Sequence, residues 1–131
     1  MSEEAKIIFS FNENNKLNEI NEVLNKEIKY DNGRYVGQVV NGKREGKGIC
    51  YWNDGDRYEG DWKNGKKEGK GIYYYMSGNR YEGDYKNGKK EGKGIYYYKN
   101  GNREMGDWKD GKEIGKHVIL NKNGEVKIEN Y

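Results

Sequence analysis

His117 and Cys50 are the only histidine and the only cysteine in this 131-residue chain, so a thiol nucleophile with an imidazole base could be built from no other residues. Both stand at positions of an internal repeat that are filled elsewhere by Gly or Tyr, which reads as packing variation rather than as a catalytic pair. No cluster of His, Cys and acidic residues has metal-ligand spacing. Carboxylates are plentiful, but Glu59, Asp61, Glu82 and Asp84 recur 23 residues apart, so they read as cross-strand partners for lysines rather than as one acid/base site. The run Gly65-Lys66-Lys67-Glu68-Gly69-Lys70-Gly71 resembles a phosphate-binding loop, and it recurs from Gly88 to Gly94. It is one residue too short, Gly71 stands where a Ser or Thr must reach magnesium, and no helix follows to present its N-terminus. The expectation is a protein that is not an enzyme, with no catalytic residue, cofactor or metal and no small-molecule substrate.

Charge placement is more informative than any single motif. Across 43–47, 63–70, 86–93 and 109–116 the chain carries 14 basic and five acidic residues, a net of +9, while the rest of the repeats carry five basic and nine acidic residues, a net of −4. If these four stretches lie along one edge of a sheet, basic clusters recur about every 10 Å, two strand separations. Lys43, Arg44, Lys66, Lys67, Lys89, Lys90 and Lys112 form the tips of that edge and are the candidate partner- or anion-binding residues. Glu45, Glu68, Glu91 and Glu113 reduce the tips to +3, which at about 1 kcal/mol per basic residue near an anionic surface gives about 3 kcal/mol, weaker than a millimolar complex. An acid at every basic turn therefore favours a patterned protein partner over simple lipid attraction. Nucleic acid is not expected, because the aromatic residues are needed to cover glycine and are not free to stack on bases.

The elements that must position these residues follow from the period. Four copies run over 35–57, 58–80, 81–103 and 104–126, and Tyr58–Tyr75 matches Tyr81–Tyr98 with one change, Tyr85 for Trp62. Asn64-Gly65 and Gly78-Asn79 are turn signals flanking runs rich in Tyr, Trp and Ile, so each copy reads as a β-hairpin. Period-2 alternation puts Tyr58, Gly60 and Trp62 on one face with Gly71, Tyr73 and Tyr75 of the next strand. The same holds for Tyr35 and Gly37, for Tyr81, Gly83 and Tyr85 with Gly94, Tyr96 and Tyr98, and for Trp108. A mid-strand glycine weakens a strand by about 0.5–1 kcal/mol relative to Ala, and a ring laid over the bare backbone compensates. Only 32% of residues are apolar, too few for a thick two-layer core, yet 18 aromatic residues and a net charge of +3 argue against disorder.

The pattern Tyr-x-Gly-x-Trp, Asn-Gly, Gly-x-Gly with following aromatics, and again Tyr-x-Gly resembles the MORN repeat over about 35–126. The resemblance implies a mainly β protein, an elongated single-sheet antiparallel meander of repeated hairpins. It also implies adaptor and localisation roles, acidic-phospholipid binding, or service beside a lipid kinase or methyltransferase, none of whose catalytic domains this chain contains. The expected function is an interaction or scaffold module that docks a protein partner, a second copy of itself included, through its sheet surface and basic edge. The alternative is a peripheral module binding acidic phospholipids or phosphoinositides at an anionic membrane surface.

The ends depart from the repeat. Val39 and Cys50 replace aromatics in the first copy, and Glu104 replaces Tyr and His117 replaces Gly in the last, as expected of caps. A closing strand is expected over 125–129, with charges guarding the sheet edge. Residues 1–29 read as a separate capping segment ahead of a sheet spanning 30–131: Ile7, Phe9 and Phe11 alternate like a short strand, and Leu17, Ile20, Val23, Leu24 and Ile28 fall at helical spacing, predicting a helix over about 15–27. One cysteine, no secretory leader pattern and no apolar run near 18 residues point to a cytoplasmic protein, peripheral at a membrane or the cytoskeleton.

Overall fold

The structure, a computed structural model, describes residues 24–131. They form one ten-stranded antiparallel sheet whose strands lie side by side in chain order: β1 Leu24–Tyr30, β2 Gly33–Val40, β3 Lys43–Trp52, β4 Arg57–Lys63, β5 Lys66–Tyr74, β6 Arg80–Lys86, β7 Lys89–Tyr97, β8 Arg103–Lys109, β9 Lys112–Leu120 and β10 Val126–Asn130. The connections along one edge are two-residue turns, Asn41-Gly42, Asn64-Gly65, Asn87-Gly88 and Asp110-Gly111, with both residues at positive φ. That is the backbone of a type I′ turn, whose twist matches the strands it joins and which Asn-Gly adopts most readily.

Inside each hairpin the ladder is interrupted once. Gly60 pairs with Gly71 and Trp62 with Lys67, so Asp61 alone stands opposite three residues of β5. Gly69 in this bulge has φ +66, and the Asp61 carboxylate accepts the freed Lys70 amide at 3.1 Å. Gln38 does the same for the Lys47 amide in the first hairpin, at 2.7 Å. The bulge also frees the Asp61 carbonyl, which accepts the Tyr58 hydroxyl at 2.9 Å.

Tyr58 reaches that carbonyl by lying across a row of glycines. Gly37, Gly48, Gly60, Gly71, Gly83, Gly94 and Gly106 follow one another in register across β2 to β8. A Cβ on Gly48, Gly71 or Gly94 would fall inside the ring of Tyr35, Tyr58 or Tyr81 respectively. These three tyrosines are fully buried in a sheet that has no second layer among the described residues. Edge-to-face contacts then join them into one chain: Tyr35–Trp62 at 5.4 Å, Trp62–Tyr58 at 5.1 Å, Tyr58–Tyr85 at 5.1 Å, Tyr85–Tyr81 at 5.5 Å and Tyr81–Trp108 at 5.1 Å. Each such pair contributes about 0.5–1.5 kcal/mol beyond burial, and each alternate contact crosses from one repeat to the next. The rings expected to cover glycine are therefore Tyr35, Tyr58 and Tyr81. Tyr73, Tyr75, Tyr96 and Tyr98 share this face but form a second row, tilted against one another.

The opposite face is organised by register. Val36, Ile49, Glu59, Ile72, Glu82, Ile95, Met105, Val118 and Ile128 form one cross-strand row. Beside it arginine and tyrosine alternate, with Arg34 over Tyr51 at 4.3 Å, Arg57 over Tyr74 at 4.0 Å and Arg80 over Tyr97 at 3.9 Å. Lys47 pairs with Asp61 and Lys70 with Asp84, the cross-strand partnership expected for those acids, whereas Glu59 and Glu82 stand between isoleucines.

The fourth repeat inverts the ring and the glycine. Glu104 occupies the tyrosine position, and the His117 imidazole now lies over Gly106 from the neighbouring strand. Its Nε2 donates to the Asp107 carbonyl at 2.8 Å, the bond that a tyrosine hydroxyl makes elsewhere. Buried Glu104 accepts the hydroxyls of Tyr98 at 2.9 Å and Tyr131 at 2.5 Å, and the chain of rings ends through His117 on Tyr131. The closing strand pairs with β9 and runs one residue later than expected, Val126–Asn130.

At the other end the sequence reading needs correction. The sheet begins at Leu24 rather than at 30, and 24–27 are extended in β1 instead of ending a helix; the rest of that helix and the strand around Phe9 lie outside the described residues. Without β1, the whole edge of β2 would leave its ladder groups unpaired, and Ile28 would not pack beside Tyr35, its cross-strand partner. Edge pairing outweighs the helical spacing of Leu24 and Ile28.

The ring-over-glycine contact can be tested from both sides. Gly71→Ala, which pushes into the Tyr58 ring, destabilises the array by about 1–3 kcal/mol in urea unfolding. Tyr58→Phe loses its hydroxyl bond and costs about 1 kcal/mol, whereas the buried Tyr85 hydroxyl has no partner among the described residues, so Tyr85→Phe is neutral or stabilising in the same measurement.

Candidate docking surface

The residues that could do chemistry are kept apart. Cys50 is a free, buried thiol in β3, and burial pushes its pKa up against the opposing pull of Arg44. His117 sits in β9 with one nitrogen bonded to a backbone carbonyl, so the structure does not bring the two together. The glycine–lysine strings lie in turns and in β5 and β7, with no helix to follow them. Among the described residues no group of His, Cys, Asp and Glu could hold a metal ion.

The basic edge divides in two. Lys43, Lys66, Lys89 and Lys112 are exposed at the turns. Lys66 stands directly opposite Lys63, Lys89 opposite Lys86 and Lys112 opposite Lys109, so a like-charge pair recurs at each of these turns. Directly opposed like charges destabilise a sheet. Arg44, Lys67 and Lys90 point the other way, half-buried on the aromatic face. The acids at these turns also have a local job. Glu45, Glu68 and Glu91 accept the backbone amides of Asn64, Asn87 and Asp110 in the next turn at 2.7, 3.0 and 3.1 Å, lacing repeat to repeat. Their recurrence is explained by the fold and does not by itself indicate a partner.

On the aromatic face, three cations meet rings instead of carboxylates. The Lys67 ammonium lies 4.8 Å from the Tyr73 centroid, 5.4 Å from Tyr85 and 5.6 Å from Trp52 and Tyr58. Lys90 repeats this with Tyr81 at 4.8 Å, Tyr96 at 5.2 Å and Tyr75 at 5.4 Å. The Arg44 guanidinium lies 4.5 Å from Trp62 and 5.3 Å from Tyr30, and donates to the Gly65 carbonyl at 2.6 Å. Burial lowers the pKa of both Lys67 and Lys90. Among the described residues none of the three makes an ion pair, whereas Lys47, Lys70, Lys109 and Lys127 all do. Asp56, whose charge acts on Lys67, is spent on the Tyr73 hydroxyl at 2.7 Å and the Met76 amide at 2.8 Å, and Glu113, whose charge acts on Lys90, is exposed.

Beside the cations runs the second ring row. Trp52 stacks on Tyr73 at 5.5 Å and 27°, and Tyr73–Tyr75, Tyr75–Tyr96 and Tyr96–Tyr98 follow at 4.6, 5.7 and 4.8 Å. At its Trp52 end, a recess of about 300 Å³ opens between Tyr30, Arg44, Trp52, Trp62 and Lys67. The opposite face carries a wider, shallower trough of about 820 Å³ floored by Ile72, Ile95 and Met105, with Tyr97 at one side. Sequence reasoning passed over Trp52 and Tyr30, and over the Arg–Tyr ladder, although arginine recurs at 34, 57, 80 and 103 with the period of the repeat.

Among the described residues no helix is long and apolar enough to cross a membrane. Comparison with curated proteins finds no match. Comparison with protein families matches the MORN repeat at residues 35–57, 58–80 and 81–103, and 104–126 carries the same two-strand geometry beyond the matched span. MORN repeats are non-catalytic modules of protein interaction and membrane binding. With three consecutive repeats covering more than half of its length, each folded as a hairpin of one continuous sheet, the chain belongs to the MORN-repeat family.

Proposed function

We propose that this protein is a non-enzymatic docking module that holds a protein partner on its aromatic face, with the exposed lysine edge supplying long-range attraction. The observation that carries this reading is the set Arg44, Lys67 and Lys90. These are half-buried cations that lie among rings and make no ion pair among the described residues. A half-buried cation without a counter-ion has lost hydration that an incoming anion restores. The half-exposed ring row beside it offers the aromatic area typical of interface anchors.

A second reading, a peripheral module on acidic phospholipid, is favoured by one feature. The opposed pairs Lys63/Lys66, Lys86/Lys89 and Lys109/Lys112 carry a repulsion that an anionic surface would relieve.

The two readings separate by which lysines matter. Immobilised full-length protein should capture a protein from its native extract, keep it in Lys66→Gln/Lys89→Gln, and lose it in Lys67→Gln/Lys90→Gln. Flotation with phosphatidylserine vesicles at physiological salt should be absent. Flotation that Lys66→Glu/Lys89→Glu abolishes, with no capture dependent on Lys67 and Lys90, would overturn the protein-partner reading in favour of the membrane.

A further inference from the structure

Arg44, Lys67 and Lys90 occupy the same position in three successive repeats, each opposite the residue at the second ring position, Val39, Trp62 or Tyr85. They lie on β3, β5 and β7, so two strand separations, about 10 Å, divide each from the next along a line running across the strands. The row of contacting rings from Trp52 to Tyr98 runs in the same direction. A ligand that satisfies all three cations must therefore carry anions at a regular spacing near 10 Å while laying an apolar side on tyrosine rings.

A polyproline-II segment has this repeat. It turns once every three residues with a rise of about 3.1 Å per residue, so side chains three apart point the same way about 9.3 Å apart. Segments of this kind dock on aromatic-lined grooves because their conformation is already fixed before binding. We infer that the aromatic face recognises an extended, polyproline-II-type acidic peptide with Asp or Glu at every third residue, its carboxylates on Arg44, Lys67 and Lys90 and its intervening residues on the contacting rings. The inference rests on the reading that this face takes a protein partner, and names the class of that partner.

The fourth repeat sets the order of charges along the peptide. At the position of Arg44, Lys67 and Lys90 it has exposed Glu113, opposite Trp108. The cation row thus ends in an acid, and the best-matched peptide carries three acids followed, again three residues on, by a base. The ammonium groups can accept such contacts because rings satisfy their charge but not their N–H bonds, and no hydrogen-bond acceptor lies within reach of the Lys67 or Lys90 nitrogen among the described residues.

The probe is the synthetic peptide Glu-Pro-Pro-Glu-Pro-Pro-Glu-Pro-Pro-Lys, titrated into the full chain and followed by amide and indole nuclear magnetic resonance shifts. Two controls share its composition, one with its acids adjacent and one with its lysine exchanged for the second acid, so that a base faces the middle of the cation row. The periodic peptide should shift the Trp52 indole and bind more tightly than either control. Lys67→Gln and Lys90→Gln should each weaken it about tenfold, the loss of one charged hydrogen bond, while Lys66→Gln changes it little. Equal binding of all three peptides, or equal loss from Lys66→Gln and Lys67→Gln, would reduce the effect to net charge and overturn the proposal. No binding of the periodic peptide, with a native protein still captured through Lys67 and Lys90, would overturn the peptide class and leave the docking reading intact. Flotation on phosphatidylserine vesicles that requires Lys67 and Lys90, and that the peptide does not compete, would overturn it in favour of lipid.

Discussion

A ring lying flat on glycine is the contact on which the rest of this sheet depends. Among the described residues the sheet is a single layer with no facing layer to bury its side chains, and most of the surface of these strands is charged or polar. Removing the Cβ along one row lets Tyr35, Tyr58 and Tyr81 sink onto the backbone of their own and the next strand, where they reach full burial. The same tyrosines donate to the carbonyls of Gln38, Asp61 and Asp84 that the bulges leave free. Glycine row, bulge and ring are thus one device, and no part of it is stable without the other two. Edge-to-face contacts then carry it from repeat to repeat, and the amide-accepting side chains Glu45, Glu68 and Glu91 along one edge and Asp56, Asn79 and Asn102 along the other lace successive turns. Stability in such an array is a sum over neighbours.

Most of that architecture was legible from residue types and spacing. The repeat of 23, the Asn-Gly turns and the Gly-x-Gly strings allow one hairpin per copy, and rings must cover those glycines for the strands to persist. Which rings do so was not legible, because it depends on register. The bulge at Asp61 shifts the pairing so that Tyr58 faces Tyr73 while Trp62 faces Lys67. That shift turns one supposed aromatic set into two rows, one buried over glycine and one tilted ring against ring and half-exposed. The two-residue turn, not the bulge, sets Lys67 opposite Trp62 and so onto the rings, while its neighbour Lys66 points the other way into solvent. Period-2 alternation separates the two lysines, although the sequence reading groups both in one basic edge. The β1 strand was hidden for a similar reason: Leu24 and Ile28 have helical spacing, and only the unpaired edge of β2 decides in favour of a strand.

Charge in this protein therefore has three distinct settings. Lysines at the bulges are neutralised across strands by Asp61 and Asp84. Lysines at the turns face one another in water. Arg44, Lys67 and Lys90 are withdrawn onto the rings without an ionic partner among the described residues. The last set is where sequence periodicity becomes chemical periodicity, since a repeat of two strands places like groups at a fixed interval along a direction the chain itself never follows. The fourth repeat closes that pattern with Glu113 and closes the fold with the buried Glu104, Tyr98, Tyr131 and His117 group. Burial and the Glu104 hydrogen bond push the Tyr98 phenol up to about 12, so the hydroxyl remains a donor to that carboxylate across the physiological range.

Proton nuclear magnetic resonance of the glycine row tests this account most directly. If Tyr58 and Tyr81 lie on the backbone, the α-protons of Gly71 and Gly94 fall in the shielding cone of a ring and resonate well upfield of ordinary strand glycines, with cross-relaxation to the ring protons of Tyr58 and Tyr81. Glycine α-protons at unshielded positions, with no cross-relaxation to those rings, would contradict it.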